Sequence, residues 1–196
     1  EFKPLATALP ALLRSDIAWG DYDKDGDLDV AVIGSPDGTN RQSQIYRNDG
    51  NAIFTGSGVS LTAVADGAIR WGDYDKDGDP DLLLTGSSQA GPTTRLYRND
   101  AGAFSEVAAG LLGVANSSAD WADYDNDGDL DLALAGTVDG TNGVTLIYRN
   151  TGNGSFTNRN APLTGVQRGK VAWGDYDHDG DPDLLITANN GAARLQ

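Results

Sequence analysis

Short, mainly apolar runs recur along the chain at regular intervals, each closed by Gly, Asn or Asp, and no segment places apolar residues at helical spacing. The clearest runs are Val30–Ile33, Leu82–Thr85, Leu132–Ala135 and Leu184–Thr187. Each follows an alternating segment that ends near Trp19, Trp71, Trp121 or Trp173. Alternation there puts Ile17, Trp19 and Asp21 on one strand face and Asp16 and Ala18 on the other. A third run reads "QIYRN", "RLYRN" or "LIYRN", and after an Asn/Asp/Gly turn a short fourth run carries Phe54, Phe104 or Phe156. Strands of this length with this punctuation predict an all-β fold built of four-stranded units.

The units are copies of one another. Asp21, Asp73, Asp123 and Asp175 begin equivalent acidic segments spaced 52, 50 and 52 residues apart, a period that belongs to propellers, solenoids and arrays. The expected architecture is a single β-propeller domain over 1–196, with blades at about 15–57, 67–106, 117–158 and 169–196 plus 1–5. The last unit stops in its third run at Arg194–Gln196, whereas Glu1-Phe2 matches a fourth run. An N-terminal strand completing the last blade would close the ring and remove exposed sheet edges.

Units one and three share "DGTN" at Asp37 and Asp139, while units two and four share "GDPDLL", a superperiod of 102 residues that favours four or eight blades. Equivalent first-strand positions predict Arg70 opposite Asp120 between neighbouring blades, and Asp16 opposite Lys170 if blade one abuts blade four.

Charge sharpens this picture. The formal net charge is −15, yet the four nine-residue acidic segments hold 20 of the 29 acidic residues, leaving 9 acids against 14 Lys and Arg elsewhere. Acid concentrated in blocks points to cation ligation, and the resulting field would repel nucleic-acid phosphates. Cysteine and methionine are absent, which excludes disulfides and thiolate-bound metal. No apolar stretch approaches the roughly 20 residues of a membrane-spanning helix.

In "DYDKDGDLD", numbered one to nine, carboxylates at one, three and five converge if the loop winds around an ion. These are Asp21, Asp23 and Asp25; Asp73, Asp75 and Asp77; Asp123, Asp125 and Asp127; and Asp175, Asp177 and Asp179. The glycine at position six permits a sharp turn. An EF-hand would need a bidentate Glu at position twelve, but Val32, Leu84, Leu134 and Ile186 stand there and no helix flanks the loop, so the last ligand falls to position nine: Asp29, Asp81, Asp131 and Asp183. Position seven (Asp27, Asp79, Asp129, Asp181) needs to supply only its carbonyl; its side chain adds a ligand, caps the loop or faces water. A ligand-dense carboxylate loop suits Ca²⁺ over Mg²⁺, and softer metals lack ligands, His178 being the one imidazole.

"WGDYDKDGDLDVAVIG" and its three counterparts resemble the FG-GAP or VCBS repeat family, whose blades occur in integrin α-subunit propellers and in many secreted proteins. The resemblance covers essentially the whole chain. It implies one Ca²⁺ per blade, four in all, held between the first two strands. It also points to an extracellular or cell-surface module that binds or adheres to glycans or proteins; the alternatives are the calcium-bearing scaffold of a secreted polysaccharide-acting enzyme and a half or fragment of a larger propeller with a structural role, and the chain is expected as a monomer or a homodimer. Trp and Ala-Gly variation, "WGD" and "WAD", departs from the Phe-Gly of the family name.

Other residues read as structural. The tryptophans are expected to pack between blades, Arg47, Arg98 and Arg149 to pair with the acidic loops, and His178 to sit solvated in its loop. Asn116 and Asn153 head N-glycosylation sequons. No nucleophile–base arrangement is marked by spacing, so the chain reads as non-enzymatic. Its most variable connections, 34–44, 86–94 and 136–144, are where a rigid scaffold carries binding.

Overall fold

The computed structural model describes residues 9–152 and 154–188 and the strand Arg194–Leu195. Among the described residues every helix is absent, and antiparallel strands form four separate sheets, one per predicted unit. Unit one contains β1 (Leu13–Gly20), β2 (Asp29–Ser35), β3 (Gln42–Asn48) and β4 (Phe54–Gly56). Unit two contains β5 (Ile69–Gly72), β6 (Asp81–Ser88), β7 (Gly91–Asp100) and β8 (Ala103–Val107), and unit three β9 (Ala115–Ala122), β10 (Asp131–Thr137), β11 (Gly143–Asn150) and β12 (Phe156–Asn158). Unit four contains β13 (Lys170–Gly174), β14 (Asp183–Thr187) and β15 (Arg194–Leu195). Sheet order follows chain order in every unit, the meander expected of strands joined by short connections.

The predicted apolar runs all fall within second strands. β2, β6 and β10 are buried almost throughout, which explains their continuous apolar sequence: they lie mid-sheet with both faces covered. The expected closing strand, Glu1–Leu5, lies outside the described residues.

Units pack in succession. Each of β5, β9 and β13 packs on the first strand of the unit before it and on that unit's second strand as well. β1 and β13 do not pack in this way. Arg14, Asp66, Asn116 and Arg168 hold one repeat position, all with a left-handed φ (51°, 56°, 47° and 53°), and together they line one cavity of about 210 Å³. Backbone bonds run between these turns: Asp66 N–H to Arg14 C=O (3.0 Å), Ser117 N–H to Asp66 C=O (3.3 Å) and Arg168 N–H to Asn116 C=O (2.9 Å). The starts of the four first strands therefore converge. This puts Asn116, a sequon residue, half-buried at the point of convergence.

The inter-unit charge pairing differs from expectation. Arg70 pairs with Asp16 of unit one (2.6 Å), not with Asp120. Asp120 instead accepts from the backbone N–H of Trp173 (2.9 Å). The cause is stagger: a first-strand side chain meets residues 53 or 54 positions further along, as Asp16 also does with the N–H of Ile69 (3.2 Å) and Ser118 Oγ with that of Val171 (3.2 Å). Asp16 is thus engaged with unit two, and no Asp16–Lys170 ion pair occurs among the described residues.

Candidate metal centres

Every acidic segment folds into the same loop. Position four takes a left-handed φ in all units (Lys24 58°, Lys76 59°, Asn126 55°, His178 61°), and the position-six glycine, such as Gly26 at 94°, lies in the region only glycine enters freely. Two bonds lock this shape. The position-one carboxylate accepts from the N–H of that glycine: Asp21 from Gly26 (3.1 Å), Asp73 from Gly78 (3.0 Å), Asp123 from Gly128 (2.8 Å) and Asp175 from Gly180 (3.2 Å). The position-five carboxylate accepts from the position-seven N–H, in Asp25, Asp77, Asp127 and Asp179, at 2.9 to 3.0 Å.

Locking the loop brings carboxylates together. Asp21, Asp23 and Asp29 place one oxygen each within 4.8 Å of one another, as do Asp73, Asp75 and Asp81; Asp175, Asp177 and Asp183; and, in unit three, Asp123, Asp125 and Asp127. Positions one, three and nine are thus the shared core of three clusters, and unit three substitutes position five. Asp25, Asp77 and Asp179 stand outside these sets, as does the expected position-nine ligand Asp131 of unit three, and no position-seven side chain belongs to one.

Oδ1 of Asp21, Asp23, Asp73 and Asp123 is buried without a hydrogen-bond partner. An anionic oxygen left so is costly unless a cation satisfies it. These orphans, converging in all-oxygen sets, fit a hard divalent cation.

Position nine opens the second strand and staples the loop to the third. Asp81 accepts from the N–H groups of Tyr74 (3.1 Å) and Asn99 (2.8 Å); Asp29 does so from Tyr22 and Asn48, and Asp131 from Tyr124 and Asn150. Burial pushes the Asp81 carboxyl up to about 7 and that of Asp131 up to about 6, the two N–H bonds only partly offsetting it; Asp29 is raised for the same reason. A cation beside Asp29 and Asp81, which belong to converging sets, would reverse the shift there.

The asparagine at or next to the end of the third strand in units one to three is a supporting residue not singled out by its sequence. Asn99 and Asn150 are buried and donate their amides to Pro80 and Leu130 within their own loops (3.0 and 3.2 Å) and to Tyr22 and Tyr74 of the preceding loops (2.8 Å each). Its signal was the recurrence of "YRN" in three units.

Position seven has a different task. Asp79 takes Lys24 of the preceding loop (2.6 Å), Asp129 takes Lys76 (2.7 Å) and Asp181 takes Asn126 (2.6 Å). The Lys24 ammonium and the N–H of Ala101 hold the Asp79 carboxyl below its usual range. Variable position four is therefore the donor in a forward contact between loops.

Arg98 reaches Asp75 and Asp77 (3.1 and 3.3 Å) and Arg149 reaches Asp125 and Asp127 (2.8 Å each), as expected of the third-strand arginines. Arg47 departs, pairing with Asp49 (2.7 Å) in the adjoining turn. Three tryptophans pack between units, Trp71 stacking on Tyr22 and Trp173 on Tyr124 with ring planes within 8° and Trp121 packing beside Tyr74, whereas Trp19 departs from the expectation, exposed and beside Phe54 of its own unit.

A family model described as an FG-GAP-like repeat matches residues 21–84, 73–134 and 123–186, each match running from one acidic loop to the strand behind the next. No curated protein matches the chain.

Proposed function

Since the chain belongs to the FG-GAP-like repeat family, we propose that it is a calcium-dependent extracellular binding module whose units are successive blades of a β-propeller. The observation that carries this reading is the convergence of carboxylates in four equivalent loops, with buried, unpartnered oxygens in the first three. Calcium would be held by positions one, three and nine, with position five in unit three. Extracellular calcium, near millimolar, suits sites of this structural kind. The ion's role is to cancel carboxylate repulsion so that the loops, and the blades they join, keep one shape.

The ligand is a glycan or a protein, bound at the end opposite the calcium loops. There the second-to-third strand connections vary most, and a cavity of about 420 Å³ lies beside the β10–β11 connection, lined by Thr141, Gly143, Gln167 and Arg168 among others. Gln167 donates to the Thr141 carbonyl (2.7 Å), and its Oε1 is buried without a partner. A cavity of that size takes a small saccharide or a peptide side chain. The module is read as non-catalytic, its loop aspartates being committed to the ion.

Calcium titration of the chelated protein is expected to show four ions per chain, and no binding would refute the reading. Screening the calcium-loaded protein on a glycan array, with Gln167→Ala as control, tests the ligand face. Hits that persist undiminished in the variant would place the ligand elsewhere.

A further inference from the structure

The third-strand arginine behaves differently in units one, two and three, and the difference follows the residue two positions after it. Arg47 is drawn off its loop by Asp49, which holds it at 2.7 Å and is itself bonded by the Thr55 hydroxyl. In unit two that neighbour is Asp100, and Arg98 divides itself: Nη2 lies 2.7 Å from Asp100, while Nε and Nη2 reach Asp75 and Asp77 at 3.1 and 3.3 Å. In unit three the place belongs to Thr151, which offers no charge. Arg149 turns its fork wholly on the loop, 2.8 Å from both Asp125 and Asp127.

This series runs against the converging carboxylate sets. In unit one, among the described residues, no guanidinium pairs with Asp21, Asp23 or Asp29; in unit two one member of the set is engaged, Asp75; in unit three two of the three are, Asp125 and Asp127. The same grip accounts for position five entering the set in unit three alone. One planar fork draws Asp125 and Asp127 together, whereas the looser hold of Arg98 leaves Asp77 outside. A guanidinium seated on a carboxylate must yield or share it when a cation arrives, and its own charge repels that cation.

We propose that this arginine grades the calcium affinity of the loops as an internal competitor, so that of these three units the third binds its ion most weakly, the first most tightly and the second between them. The residue two positions after the arginine decides how much of it the loop receives. Asp123 Oδ1, buried without a partner, still calls for a cation in unit three, while Arg149 offsets the other two carboxylates when the ion is absent. Unit three therefore gives up its ion at calcium levels that leave unit one filled. The inference rests on the calcium reading of the loops and adds the residue that sets them apart.

Calorimetric calcium titration against a competing chelator resolves the sites when each is deleted in turn. The phase lost in Asp125→Asn is expected to be weaker than the one lost in Asp75→Asn, and that weaker than the one lost in Asp23→Asn. Arg149→Gln should tighten the unit-three phase by roughly two- to fivefold, as expected for lifting a partly exposed charge contact. Arg47→Gln removes the same charge from a guanidinium already held by Asp49, and should leave the unit-one phase unchanged. Thr151→Asp keeps Arg149 but gives it a second partner, and should also tighten the unit-three phase; melting of each chelated variant checks that it is folded. Equal affinities in the three units, a unit-three phase unchanged or weakened in Arg149→Gln and Thr151→Asp, or an equal gain in Arg47→Gln would each overturn the proposal with the number of ions intact. A protein that takes up no calcium would instead remove the reading beneath it.

Discussion

The side-chain amide of Asn99 donates to the carbonyl of Tyr22, 2.8 Å away and 77 residues earlier in the chain, while its own backbone N–H is held by Asp81. One asparagine thus ties the acidic loop of unit two to that of unit one. Replacing Asn99 by Ala leaves a buried carbonyl and part of the loop without a donor, at a cost of about 1–3 kcal/mol. The Asn48 side chain bonds only within its own unit among the described residues, donating to Leu28 and accepting from the Gly50 N–H, so Asn48→Ala should cost less. Urea unfolding of the two variants in calcium checks the order; equal losses would deny the cross-loop contact its weight.

Positions three and seven should separate cleanly. Asp75→Asn weakens an ion-facing set and is expected to leave three sites at wild-type affinity. Asp79→Asn removes the carboxylate partner of Lys24, an exposed pair screened by solvent, and should keep four sites with little change in stability. Calorimetric titration distinguishes them, and the loss of a site in Asp79→Asn would return position seven to the ligand set.

Stability should depend on pH with opposite sign in the two metal states. In the chelated protein, Asp81 and Asp131 have folded values raised to about 7 and about 6. The folded state then binds more protons than the unfolded one, so stability is greatest below about pH 4, the unfolded aspartate value, and falls as pH rises toward 7. In calcium Asp81, a member of its loop's converging set, is held ionised, so acid competes with the ion and stability falls as pH falls. Melting curves with chelator and with calcium across this range should converge in acid and diverge toward neutrality. Parallel curves would mean that Asp81 does not face the ion.

Gly67 lies against the second strand of its own unit, where an added Cβ would fall 1.8 Å from the Thr85 carbonyl oxygen. Relief requires β5 to move away from β6, beside the point where the four first strands meet. Gly67→Ala should therefore cost at least the ~1–3 kcal/mol of an overpacked core site. Ser15 and Ser117 occupy the same repeat position in units one and three, so Ser117→Ala should be milder, losing its bond to Thr85 Oγ1 (2.8 Å). Thermal unfolding of both variants tests this, and a tolerated Gly67→Ala would remove the argument.

Repetition made most of the architecture legible. Four apolar runs at fixed phase located β2, β6, β10 and β14, and the invariant aspartates located the loops, because both patterns report local geometry. What the sequence concealed depends on stagger between units. Arg70 meets Asp16 because neighbouring first strands are offset, a displacement that leaves no mark on either strand. The same offset hid the role of position four: Lys24, Lys76 and Asn126 share no chemistry beyond a nitrogen donor, so their variation read as solvent exposure. Arg47 differed from Arg98 and Arg149 for a local reason, since Asp49 stands two residues away and competes successfully. Closure of the ring rested on Glu1–Leu5, which lie outside the described residues, and on an Asp16–Lys170 pair that does not form.

Every junction also has a sense. Position four reaches to the following loop and never to the preceding one, and the tyrosine likewise offers its ring forward. Duplication or deletion of an internal unit leaves every position-four donor that faces a following unit with an acceptor, so such a chain can change length without inventing a new contact. Inserting half a unit, or reversing one, would strand a carboxylate and an indole at the same seam. The structure admits edits in integer steps only, and always in the direction of the chain.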